Sequence, residues 1–160
     1  MNALAEIKRD NEIASDWLLY YPFRKRQYYE DLLDVENSTP VSAEVSIKTG
    51  PGNQTMQMAI LMVELSHTEL WLQSVEDVES IFSEKKRVFL QARREAAYMV
   101  KTVRGRPAWV IYVQRHYADR MSARYNTTPD KFWVNETTLK EWWREMVDVM
   151  ARVALKRGCL

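Results

Sequence analysis

Apolar residues recur along this chain at helical spacing, with few interruptions. Leu18, Tyr21, Tyr28, Leu32 and Val35 step by three, seven, four and three, so they form one stripe of a helix predicted over residues 3–35. Pro22 is expected to kink or restart that helix, because it lacks an N–H and its ring crowds the preceding turn. Residues 37–54 are rich in Ser, Thr, Gly and Pro and lose the period; they predict a long loop with a short extended piece at 45–47. A second helix follows, from 53 or 55 to about 82. Its residues Leu61, Leu65, Thr68, Leu72, Val75, Glu79 and Phe82 alternate steps of four and three, a heptad seam with two polar interruptions. The seam fits an antiparallel hairpin with the first helix, and equally a zipper with a second copy, so a homo-oligomer through the seam stays open.

Ser83 followed by Glu84 reads as an N-cap with an acidic first turn, opening a third helix to about 103. Gly105 and Pro107 bracket a turn, with Pro107 placed at the first position of a fourth helix over 107–125. Trp109, Val110, Val113, Tyr117 and Met121 share one face of it. Residues 126–134 are a loop by composition. Asn135 then caps a last helix over 136–156, with Gly158 just past its end and Leu139, Trp142, Met146, Met150 and Val153 as its buried stripe. Thr137, Lys140, Glu141 and Arg144 lie on the opposite face. The expected fold is all-α: an N-terminal helical hairpin with a connecting helix over 1–103, then a basic helix-turn-helix-like lobe over 104–160.

Charge sharpens this division. Residues 1–100 hold 11 Lys and Arg against 16 Asp and Glu, a net of about −5, while residues 101–160 hold 12 against 6, a net of about +6, although the whole chain is only +1. A cationic lobe on an acidic body suits a polyanion, since neutralised phosphates release counterions. The one cysteine, Cys159, excludes an intramolecular disulfide and a cysteine-based metal site, and fits a reducing compartment. No apolar run approaches the roughly 18 residues of a membrane span, and the charged N-terminus lacks the apolar core of a signal peptide. The expectation is a soluble cytoplasmic protein with no membrane partner.

Candidate chemistry is sparse. His67 and His116 fall on different predicted helices, without HExxH, CxxC or a carboxylate at metal-ligand spacing, and read as surface or packing histidines. Neither phosphate-cradling glycine motif is present, and adjacent acidic pairs such as Glu30-Asp31 and Glu76-Asp77 are ordinary solvated helix positions. These readings predict no enzyme activity, no cofactor and no metal. Most of the aromatic residues fall on apolar stripes and read as core; Trp133 and Trp143 are less committed.

The C-terminal helices are the strongest constellation. The sequence N-E-T-T-L-K-E-W-W-R puts short polar residues at a helix N-terminus, with Lys140 and Arg144 four apart on one face, the character of a helix that reads DNA. Arg104, Arg106, Arg115 and Arg124 are placed to grip flanking phosphates. The connection over 126–134 exceeds the three or four residues of a tight helix-turn-helix, so an elaborated or winged version is expected.

This layout resembles the phage and prophage regulators of late-gene transcription of the RinA/ArpU type. The features that carry the resemblance are the aromatic, basic helix W-L-L-Y-Y-P-F-R-K-R-Q-Y-Y-E-D-L, the loop G-P-G-N-Q-T, the helix A-I-L-M-V-E-L and the terminal W-V-N-E-T-T-L-K-E-W-W-R-E-M-V. They are patterns of residue type and order that span most of the chain. The resemblance implies a lobe related to the promoter-reading domain of sigma factors, duplex DNA as ligand, host RNA polymerase as a partner, and a bacterial cytoplasm as the setting. It puts DNA-reading roles on Asn135, Thr137, Thr138, Lys140, Glu141 and Arg144. Two other readings remain: a phage small terminase subunit, distinguished by a closed ring of copies, and a helical adaptor that binds a protein without nucleic acid.

Overall fold

The structure is a computed structural model, and it describes residues 2–38, 51–99 and 101–160. Five α-helices appear among the described residues: α1 (Ala3–Ser38), α2 (Pro51–Ile81), α3 (Glu84–Ala96), α4 (Ala108–Arg124) and α5 (Glu136–Lys156). The expected all-α fold is what is found. The predicted loop at 37–54 is trimmed at both ends by α1 and α2, and the extended piece expected at 45–47 lies outside the described residues. No helix among the described residues is long and apolar enough to cross a membrane.

α1 and α2 form the expected antiparallel hairpin, and the seam of α2 closes within the chain. Leu65, Leu72 and Val75 are buried, and the indoles of Trp17 and Trp71 stack with centroids 5.0 Å apart. Pro22 does not restart α1, which runs through it as one helix. The reason lies on a neighbouring helix. Proline at position 22 leaves the Leu18 carbonyl without its helical donor, and Arg94 of α3 supplies one, its Nε donating to Leu18 O at 2.8 Å. The same guanidinium pairs with Glu79 Oε1 at 2.6 Å, which also accounts for the acidic one of the two polar residues in the seam.

α3 is shorter than expected. It begins at the Ser83 cap, whose hydroxyl accepts from Lys86 N at 3.3 Å, but ends at Ala96 instead of near 103. Residues 102–107 instead form a two-stranded antiparallel hairpin, β1 (Thr102–Val103) and β2 (Arg106–Pro107). Two consecutive β-branched residues ahead of an Arg-Gly pair favour this turn over a further helical turn. Pro107 is the residue before α4, one position earlier than predicted.

α4 packs chiefly on α3 and on a 3-10 turn at Pro129–Phe132, while α5 lies along α1 and α2. One apolar cluster includes residues of all five helices, from Leu18 and Trp71 through Phe89 and Tyr117 to Met150. At its centre the ring of Phe89 meets Trp109 and Trp142 edge-on, and Tyr117 also meets Trp142.

Candidate nucleic-acid interface

The basic end of the molecule is organised by the small hairpin. Its register pairs Thr102 with Pro107 and Val103 with Arg106, leaving Arg104 and Gly105 as the two turn residues, with φ of +51° and +76°. Two consecutive positive φ values define the tight turn whose twist matches that of the strands, and Gly105 adopts this conformation at no steric cost. Arg104 is therefore held at the tip, exposed. The next backbone bond, Ala108 N to Lys101 O at 3.0 Å, ties the hairpin to the start of α4.

Polar side chains then link the hairpin to the start of α5. Asn135 caps that helix, its Oδ1 accepting from Thr138 N at 2.8 Å, as the sequence predicts. Glu136 receives Lys140 Nζ at 3.3 Å on one carboxylate oxygen and Arg106 Nε at 3.9 Å on the other. Arg106 also donates to Gln114 Oε1 at 3.3 Å, and Gln114 donates to Val134 O at 3.1 Å. β2, α4 and the first turn of α5 are thus joined by one chain of contacts. Arg106, Asn135, Glu136 and Lys140 come together through it, with Thr137 exposed on the same turn and Arg104 two residues from Arg106.

The other predicted residues are elsewhere. Arg124, at the far end of α4, pairs with Glu84 at 2.7 Å, and Tyr125 donates to the same carboxylate at 3.1 Å. These contacts from Arg124 first, then Tyr125, hold the Glu84 carboxyl below its ordinary range. Arg115 is exposed on α4 and makes no ion pair among the described residues. Glu141 is exposed on α5. Arg144 and Lys140 line a groove of about 870 Å³ between α5 and the N-terminal half of α1, whose opposite wall carries Lys8, Glu12 and Asp16. α5 is flanked by α1 along this face, so its N-terminal turn, more than its length, is what stands free.

Three features were missed by sequence reasoning. One is the hairpin, for which the Thr-Val-Arg-Gly order was a readable signal. A second is Arg93, whose guanidinium lies 4.4 Å from the Trp109 ring centroid and 4.7 Å from that of Trp143, with its Nε buried and unbonded. Burial pushes this arginine down to about 10. No spacing rule finds such a sandwich, because its three members come from three helices. The third is a groove of about 570 Å³ beside α1, walled by Trp17, Tyr20, Phe23, Tyr28 and Tyr98.

His67 lies 3.2 Å from the Cys159 carbonyl and His116 stacks on Tyr112, both packing roles. No group of three or more potential metal ligands occurs among the described residues. No protein-family model matches the chain, and neither a curated protein nor a solved structure is significantly similar to it.

Proposed function

We propose that this chain binds duplex DNA through the end of the molecule formed by the 102–107 hairpin and the first turn of α5, as a phage-type regulator of transcription. The observation that carries the DNA reading is the convergence of Arg106 and Lys140, with Arg104 at the hairpin tip, around an exposed, capped helix N-terminus. Free backbone N–H groups at such a terminus attract phosphate, and flanking cations add the salt-dependent part of the affinity. The excess of basic residues after position 100 supports the same surface. Thr137 is exposed on that first turn, where it can approach a base edge, and Arg144 lines the groove beside α1. The regulatory role, and with it host RNA polymerase as a partner, rests on the resemblance in layout.

The test is titration of the full chain with a labelled random duplex at several salt concentrations, repeated for Arg104→Ala and Arg115→Ala. Each phosphate contact contributes a slope of about −0.9 in log affinity against log salt, so Arg104→Ala is expected to flatten the slope by about one and Arg115→Ala to leave it nearly unchanged. Equal effects of the two would contradict the surface assigned here. The second reading, a protein-binding adaptor, is favoured by the aromatic groove beside α1, where Phe23 is 53% and Tyr98 71% exposed. Absence of duplex binding at low salt would leave that reading standing.

A further inference from the structure

Every residue from Lys101 to Arg106 is exposed, so burial does not explain why the chain builds a two-stranded turn here. The tip is also strained. Arg104 sits at a φ of +51°, in the left-handed region that asparagine or glycine enters far more readily than a long side chain does. Strained backbone of this kind gathers where a ligand is met, and the side chain it presents here is a single guanidinium. Arg104 makes no ion pair among the described residues. Beside it a Cβ on Gly105 would meet nothing within 4 Å, so the tip stands in open space and is one side chain wide.

The charge around the tip has one sign. Residues 96–118 include Lys101, Arg104, Arg106 and Arg115 and no Asp or Glu, so nothing on the hairpin itself repels a phosphate. Glu136, the carboxylate that meets the hairpin, is paired with Arg106 and Lys140.

We propose, resting on the duplex-DNA reading above, that Arg104 enters the minor groove and that the duplex this chain prefers is A·T-rich. Shape selects the groove. A ribbon that reads the major groove lies along it on a face several residues long, whereas this hairpin has two residues in each strand and offers a tip without a face. Its strands run about 4.8 Å apart backbone to backbone, so with side chains the hairpin is too broad for a minor groove about 6 Å across, and the tip side chain alone goes in. Runs of A·T pairs narrow that groove and deepen its negative potential, while G·C pairs put the guanine amino group into it. Arginine suits the narrow groove better than lysine, because a guanidinium sheds water more readily than an ammonium. It displaces counterions there as it would on a phosphate, so the salt slope ascribed to Arg104 stands.

Fluorescence anisotropy of the full chain on three duplexes of equal length tests this. One carries a central run of A·T pairs, one G·C pairs, and one inosine·cytosine pairs, which keep the major-groove edge of G·C but lack the amino group in the minor groove. The A·T duplex is expected to bind about tenfold tighter than the G·C duplex, and the inosine duplex to follow the A·T one. Arg104→Asn, whose short side chain suits the left-handed position, is expected to abolish the difference while keeping or raising the thermal midpoint. Arg104→Lys, expected to keep the salt slope and lose most of the difference, serves if the first variant fails to fold. Equal binding of the A·T and G·C duplexes, an inosine duplex that follows G·C, or a preference that survives in folded Arg104→Asn would each overturn the minor-groove assignment and leave duplex binding standing. Binding to none of the three at low salt would overturn the DNA reading and this assignment together.

Discussion

Arg93 is an uncommon residue, a cation held between two indoles with no carboxylate against it among the described residues. Cation–π attraction offsets part of the desolvation, yet its Nε finds no acceptor and burial drives its pKa down to about 10. Because the folded pKa lies below the ordinary arginine value, the charged form that prevails at neutral pH works against folding. Arg93→Met, which keeps the stem and removes the charge, is therefore expected to raise stability by about 1 kcal/mol. Urea denaturation decides it, and a lower midpoint would mean that the sandwich is net stabilising. Glu76 behaves oppositely. Hydrogen bonds from Tyr21 first, then Lys25, lower its pKa below 4.5. Its contribution is present above the ordinary carboxylate range and lost as pH falls through the lowered value. The thermal midpoint should accordingly fall on acidification below about pH 4.5, and less so in Glu76→Gln; parallel curves for the two proteins would remove Glu76 from the account.

Among the elements, α1 owes its continuity at Pro22 to a residue far along the chain. Arg94→Met would leave the Leu18 carbonyl and Glu79 without their donor, at a cost of about 2 to 4 kcal/mol. Pro22→Ala restores an N–H to that carbonyl, so the two substitutions are expected to couple: the loss in the double variant should be smaller than that of Arg94→Met alone by about 1 kcal/mol. Strict additivity would show that the proline and the arginine are unrelated. The same element shows where sequence reasoning reaches its end. The stripes of α1, α2, α4 and α5, the Ser83 and Asn135 caps and the Gly158 stop were legible, since each depends on residues within a turn or two. The restart expected at Pro22 and the extension of α3 to 103 were misjudged. The first is decided by a tertiary donor 76 positions from the Leu18 carbonyl, the second by a two-residue turn that competes with helix. At the candidate interface the Asn135 cap and the basic residues were readable. Their grouping was not, because Glu136 draws Arg106 in through a hairpin the periodicity does not show.

Over the whole molecule, the apolar cluster leaves no helix to itself. Phe89 touches aromatic rings of α4 and α5, and is fully buried. Phe89→Ala should cost about 3 to 5 kcal/mol, and the loss should appear at the same denaturant concentration in tryptophan emission and in far-ultraviolet ellipticity. Separate midpoints would mean that the C-terminal helices melt on their own. The packing of α1 against α5 carries a different consequence. Asn11 and Asp148 are 137 positions apart, so α1 has to wait for α5 to be made before it can settle. While the residues between them are being synthesised, the face of α1 that α5 will cover is open to water and to any holding chaperone, and it closes only once α5 has left the ribosome.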